Sequence, residues 1–149
     1  MTNSEKAVET FWKGFNCAQS VILVYAERYH IDKEVALNLT SGFGSGIART
    51  QETCGAVTGA VMVLGLAVGK GNNDFPERKE EIYSLIQQFI KSFKEKNSST
   101  KCRELLNCDI NTEEGIYYYD VHELHRKVCM KCITDAVEIL DGIIADKVD

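Results

Sequence analysis

An all-helical, single-domain bundle of about five to seven helices is what this sequence predicts, on three observations. Apolar residues recur at steps of three and four through most of the chain, nothing alternates convincingly as a strand ladder does, and no Pro/Gly/Ser linker divides the 149 residues. A hydrophobic content of 44% beside 26% charged residues suits one soluble core spanning residues 1–149.

The first apolar stripe runs through residues 3 to 29: Val8, Phe11, Trp12 and Phe15, then Ala18, Val21, Val24 and Tyr25. Gly14 breaks it into two helices, the second opened by Cys17. Asp32 is placed to cap a helix over Glu34 to Leu39, because its carboxylate accepts from free N–H groups of the first turn. The run Ser41-Gly42-Phe43-Gly44-Ser45-Gly46 ends that segment with a turn able to take positive φ.

Thr53 is expected to cap a helix from Cys54 to about Val68, in which Gly55, Gly59 and Gly65 form a small-residue face. Each such glycine costs up to ~1 kcal/mol of helix stability, so close approach of a neighbouring helix, or of a second copy in a homodimer, is the expected return. The apolar stretch Cys54 to Gly69 falls short of the ~20 residues of a bilayer-crossing helix and reads as a buried one. Gly69 to Asn73 reads as a loop, and Pro76 starts a long helix with Ile82, Leu85, Ile86, Phe89, Ile90 and Phe93 on one face, ended by Asn97-Ser98-Ser99. Ser99 or Thr100 then caps a short helix over Cys102 to Leu106. Asn111 and Thr112 begin a last segment that is helical from about Tyr119 to Ile144.

A net charge of −5 argues against a binder of phosphate backbones, which needs a basic face, so nucleic acid is not an expected partner. The N-terminal residues lack the basic start and apolar core of an export signal, which places the protein in the cytoplasm with no membrane insertion. In that reducing compartment six cysteines point to redox chemistry or metal binding rather than to stapling, and their share of the chain lies well below the ~8–10% that marks a disulfide scaffold.

Cys17, Cys54 and Cys102 each fall at an expected helix start, where free N–H groups and the helix dipole stabilise a thiolate. Cys129-Met130-Lys131-Cys132 has CxxC spacing, though without the second CxxC or paired histidines of a zinc ribbon. His122, His125, Cys129 and Cys132 would share one face of the last helix. They cannot hold one ion together, because ten residues rise about 15 Å. The plainer reading of the two histidines, and of His30, is a solvated helix flank. Cys108, after a helix end, has no assigned part, and each cysteine alone is also explained as a small buried hydrophobe.

Taken together, Phe15-Asn16-Cys17-Ala18-Gln19-Ser20-Val21, Cys54-Gly55-Ala56-Val57-Thr58-Gly59, Cys102-Arg103-Glu104-Leu105-Leu106 and the late Cys129 or Cys132 resemble the C_GCAxxG_C_C family. That family is labelled redox-active from its cysteines, and a related domain occurs in split-Soret cytochromes associated with an iron–sulfur centre. The resemblance implies a site made of Cys17, Cys54, Cys102 and a fourth cysteine. Cys129 aligns best as the fourth, with Cys132 an additional thiol. Gly55 and Gly59 then stand as cofactor-side residues that leave Cys54 uncrowded and let another helix deliver its cysteine.

Four converging thiolates would suit an iron–sulfur cluster or zinc and equally a pair of exchangeable disulfides; calcium and magnesium are excluded by the softness of sulfur. Three readings follow: a redox protein with an unidentified redox partner, a zinc-type metal module without turnover, and a helical interaction domain whose cysteines fill the core. The Gly42–Gly46 run lacks the lysine of a phosphate loop and is expected to bring Arg49 and Glu52 near Cys54. No papain-like Cys/His pair can be assembled, so hydrolase activity is not expected.

Overall fold

The structure, a computed structural model, describes residues 1–69, 71–72 and 75–147. Among the described residues eight α-helices follow in order: α1 (Asn3–Trp12), α2 (Cys17–Ala26), α3 (Lys33–Thr40), α4 (Gly55–Val68), α5 (Pro76–Asn97), α6 (Cys102–Leu106), α7 (Glu113–Val121) and α8 (Met130–Ala145). A 3-10 turn spans Ser41–Phe43 and a π-helical turn His125–Cys129. Among the described residues the extended pairing is confined to one isolated antiparallel bridge, Thr53 to Lys101. No described helix is long and apolar enough to cross a membrane.

The all-helical fold is as expected, with one helix more. The segment read as continuous from Tyr119 to Ile144 is instead broken after α7, where Glu123 takes the left-handed conformation (φ 52°) and the chain restarts through the π turn. Its hydrophobic stripe is real, but periodicity does not register a single residue of reversed φ. His122 is therefore not on one face with Cys129 and Cys132, whereas His125, after the break, shares the cavity wall with them. The expected loop over Gly69 to Asn73 includes Lys70 and Asn73, which lie outside the described residues.

Four of the eight α-helices start on a side-chain cap. Asn16 and Gln19 form a reciprocal capping box at α2, with Gln19 N–H donating to Asn16 Oδ1 at 2.8 Å and Asn16 N–H to Gln19 Oε1 at 2.9 Å. Asp32 caps α3 and Thr112 caps α7 by one bond each, accepting from Val35 N–H and Gly115 N–H. Two expected caps are corrected. Thr53 does not cap α4; it bridges to Lys101, and Cys54 itself is the N-cap residue. Lys101 is the N-cap residue of α6, while Ser99 Oγ accepts from Lys101 N–H at 3.0 Å and donates to Glu104 at 2.6 Å.

Helix α4 is the axis of the core, buried from Gly55 through Ala60 on most positions and packed against α2, α5 and α8. A Cβ on Gly59 would stand 3.0 Å from the Ala18 carbonyl oxygen, so the bare backbone is what lets α2 lie on α4. Gly65 meets nothing within 4 Å and is not part of that face. Phe89 and Phe93 of α5 are fully buried against the same core, each contributing roughly 1.5–3 kcal/mol.

Candidate functional site

The helix starts converge at one end of the bundle. Cys17 from α2, Cys54 from the N-cap of α4, Cys102 from α6, Cys129 from the π turn and Cys132 from α8 line a single cavity of about 180 Å³. Gly55 is what admits Cys17. A Cβ there would meet Cys17 Cβ and Ala18 N at 2.9 Å, and the Phe43 carbonyl oxygen at 3.0 Å. Cys17 and Cys129 are half-buried, whereas Cys132 is 1% exposed, Cys54 7% and Cys102 8%. The cavity thus has an outer and an inner set of sulfurs.

The sulfurs face one another in twos. Cys17 interacts with Cys129, and the contact is the largest cause raising the Cys17 pKa and lowering that of Cys129. Cys54 interacts with Cys132 in the same way, and this contact lowers Cys54 and raises Cys132. In each pair one thiol is shifted toward its thiolate, Cys129 in one and Cys54 in the other, and its partner away from it. Two local features explain the choice. The side chain of Cys54 makes no regular cap hydrogen bond, yet the N–H groups of Ala56 and Val57 in the first turn of α4 face it and favour the thiolate. The Tyr119 hydroxyl lies 3.6 Å from the Cys129 sulfur and does the same there.

A start-of-helix position thus lowers the pKa at Cys54 alone. Burial pushes the Cys102 thiol up to about 12, despite its place at the start of α6, and the thiol of Cys17 is held up by its partner. All six cysteines are free thiols.

A clasp of backbone bonds holds Cys54 and Cys102 side by side. Cys54 N–H donates to Thr100 O and Cys102 N–H to Glu52 O, both at 2.7 Å, and Arg103 N–H donates to Gln51 O at 3.1 Å. Buried Gln51 extends the clasp, donating from Nε2 to Cys108 O at 2.9 Å and accepting Ile110 N–H on Oε1 at 3.0 Å. The chain reaches this clasp through five consecutive residues of positive φ, Ser45 to Arg49, between 50° and 68°. A non-glycine residue in that region costs about 1–2 kcal/mol, and β-branched Ile47 is the least suited to it. Gly46 is obligatory, since a Cβ would stand 2.6 Å from the Glu52 nitrogen. Strain of this kind is kept where the surrounding structure over-determines it, here on the rim formed by Ser45 and Gly46.

The same turn corrects the expectation for Arg49. Its side chain is exposed and lines a separate surface hollow with Ser41 and Ala48, while its carbonyl accepts from Asn111 Nδ2 at 2.8 Å. Glu52 is likewise exposed and offers the site its carbonyl only. Cys108 is buried in a satellite cluster with Leu106 and Leu124 rather than in the cavity wall.

Phe11 and Tyr119, which sequence left without a part in the site, join His125 in the cavity wall. Tyr119 Oη lies 3.0 Å from His125 Nδ1, and the His125 ring stacks on Phe11 with centroids 4.2 Å apart. His125 is no solvated flank; burial lowers its pKa. His122 is, by contrast, exposed and tilted against Tyr118. Tyr119, on the other side of the break at Glu123, is brought by it to His125 and Cys129, which the helical stripe conceals.

The expected cluster or zinc can be tested on this geometry. Among the described residues no three or more Cys, His, Asp or Glu side chains are arranged to hold a metal ion. As they stand, the sulfurs meet pairwise and do not fit a three- or four-thiolate ligand set.

A family model described as "Putative redox-active protein (C_GCAxxG_C_C)" matches residues 15–143, a span that takes in all six cysteines. A protein of Archaeoglobus fulgidus described as "Uncharacterized protein" is 28% identical over 159 aligned positions, covering 99% of this chain and 99% of that one. No solved structure gives a significant match.

Proposed function

We propose that this chain, which belongs to the C_GCAxxG_C_C family, is a redox protein that works by thiol–disulfide exchange, with Cys17 paired to Cys129 and Cys54 paired to Cys132. The observation that supports this is the pairing itself: two sulfur–sulfur contacts, each with one thiolate-prone member, in the wall of one cavity. The thiolate is the nucleophile in exchange, and a partly exposed thiolate beside a second thiol is the arrangement in which a mixed disulfide forms and is then resolved. Cys129 carries the first step and Cys17 the second. Cys102, protonated and buried, takes no covalent part. The oxidising or reducing partner is a molecule that carries a disulfide or a dithiol. Six free thiols suit a reducing compartment such as the cytoplasm.

Five sulfurs in one cavity favour a second reading, in which Cys17, Cys54, Cys102, Cys129 and Cys132 draw together around an iron–sulfur cluster or zinc. One experiment separates the two. Protein purified without oxygen is assayed for iron, sulfide and zinc, and its thiols are counted before and after mild oxidation. Exchange chemistry predicts metal-free protein that loses four of its six thiols. Stoichiometric iron with sulfide, or zinc with oxidation-resistant thiols, supports the second reading and overturns the first.

A further inference from the structure

The two pairs differ in access, and exchange by thiolate attack depends on access as well as on thiolate character. Cys17 and Cys129 are half-buried, while Cys132 is 1% and Cys54 7% exposed. The inner thiols are therefore the less accessible to an external disulfide. The inner and outer pairs nevertheless share the cavity wall, and Cys54 acts electrostatically on Cys17 as Cys129 does on Cys54. The tight contact of Cys17 with Gly55, the residue after Cys54, places these two thiols on facing helices.

Resting on the exchange chemistry proposed above, we infer that the pairs form a relay: Cys17–Cys129 is the entry pair, and Cys54–Cys132 is an inner two-electron store reached only through it. The steps balance as follows. Cys129 thiolate attacks an external disulfide RSSR, forming a mixed disulfide and expelling RS⁻. Cys17, giving its proton to that RS⁻, attacks the Cys129 sulfur and expels the second RS⁻. Cys54 thiolate then attacks the Cys17 sulfur of the outer disulfide, and Cys129 leaves as the thiolate that the Tyr119 hydroxyl favours. Cys132 attacks the Cys54 sulfur, and its proton passes to the departing Cys17 thiolate. The inner pair has lost two electrons, RSSR has gained them, and the outer pair is restored.

The test uses the full chain, reduced without oxygen and mixed with oxidised glutathione. Samples are quenched with N-ethylmaleimide at intervals and their linkages mapped by peptide mass spectrometry. The relay predicts that the Cys17–Cys129 linkage appears first and decays as Cys54–Cys132 accumulates. In Cys129→Ser, and separately in Cys17→Ala, formation of the inner linkage slows at least tenfold. In Cys132→Ser the outer linkage still appears first, and a Cys17–Cys54 linkage, which Cys132 would otherwise resolve, accumulates in place of the inner one. Circular dichroism melts exclude a misfolded variant, and the Cys132→Ser result stands if either outer variant fails to fold. Both linkages forming independently, with the inner one unaffected by either outer variant, overturns the relay and leaves the exchange chemistry intact. Absence of both linkages in the unaltered protein overturns the two together.

Discussion

The Cα of Gly55 stands so close to Cys17 that a methyl group on it would come within 2.9 Å of the Cys17 Cβ. The same methyl would meet Ala18 N at 2.9 Å and Phe43 O at 3.0 Å, both backbone atoms that cannot rotate aside. Gly55→Ala is therefore expected to destabilise the fold by about 1–3 kcal/mol, the usual cost of overpacking, and to move Cys17 from its partner. Urea unfolding measures the first effect and the rate of Cys17–Cys129 disulfide formation the second. Gly59→Ala, whose nearest contacts are 3.0–3.2 Å, costs less and leaves that rate within about twofold.

Thiol reactivity is expected to rank by pairing rather than by burial alone. Cys129 is lowered chiefly by Cys17 and secondarily by Tyr119. Cys17→Ala therefore raises the pH midpoint of Cys129 alkylation more than Tyr119→Phe does, and both shift it upward, since each removes a group that favours the thiolate. Peptide-resolved alkylation against pH checks the order. A larger shift from Tyr119→Phe would show that the hydroxyl, not the partner thiol, holds the charge.

Alkaline stability carries the mark of Cys102. Its pKa is raised by burial from 9.0 to about 12, so above pH 9 the unfolded chain loses a proton that the folded chain keeps. The contribution of this thiol is fully present below pH 9 and is lost as pH rises toward 12, at up to ~1.4 kcal/mol per pH unit. Cys54 and Cys129 act in the opposite sense: their contribution is held above the ordinary thiol range and lost as pH falls through their lowered values. Cys102→Ala is expected to flatten the decline of unfolding free energy between pH 9 and 11, measured by urea titration at each pH.

Asn16 joins two elements that set the site. Its side chain caps α2 just before Cys17, and its Nδ2 donates to Thr40 O at 3.0 Å, tying down the end of α3. Asn16→Ala removes both, and a loss of about 1–2 kcal/mol is expected, while Asn16→Asp keeps the cap and recovers part of it. Thermal unfolding of the three proteins decides the point.

Arg49 offers a contrast, because its side chain turns away from the cavity. Arg49→Ala should leave the alkylation rates of Cys54 and Cys129 unchanged within error.

Much of this arrangement is legible in the sequence where the controlling interactions are local. The helix starts at Cys17 and Pro76, the Asp32 cap and the αL stop at Ser98 all depend on residues within a turn of one another. The convergence of Cys17, Cys54 and Cys102 was reachable through the glycine beside Cys54 and the family resemblance. What was hidden depends on backbone conformations that no side-chain pattern announces. The reversed φ of Glu123 places His125 and Tyr119 around Cys129, and the left-handed run through Ile47 and Ala48 carries Arg49 away while setting Gln51 into the clasp. The fourth cysteine illustrates the limit further. Sequence alignment asks whether it is Cys129 or Cys132, and the fold sets both in the wall of the same cavity.

The central claim is tested most directly by mapping disulfides in the full chain after anaerobic purification and mild oxidation. Linkages Cys17–Cys129 and Cys54–Cys132, with Cys102 and Cys108 still alkylatable after unfolding, are the predicted result. Recovery of all six cysteines as thiols, or linkages that join other partners, would contradict it.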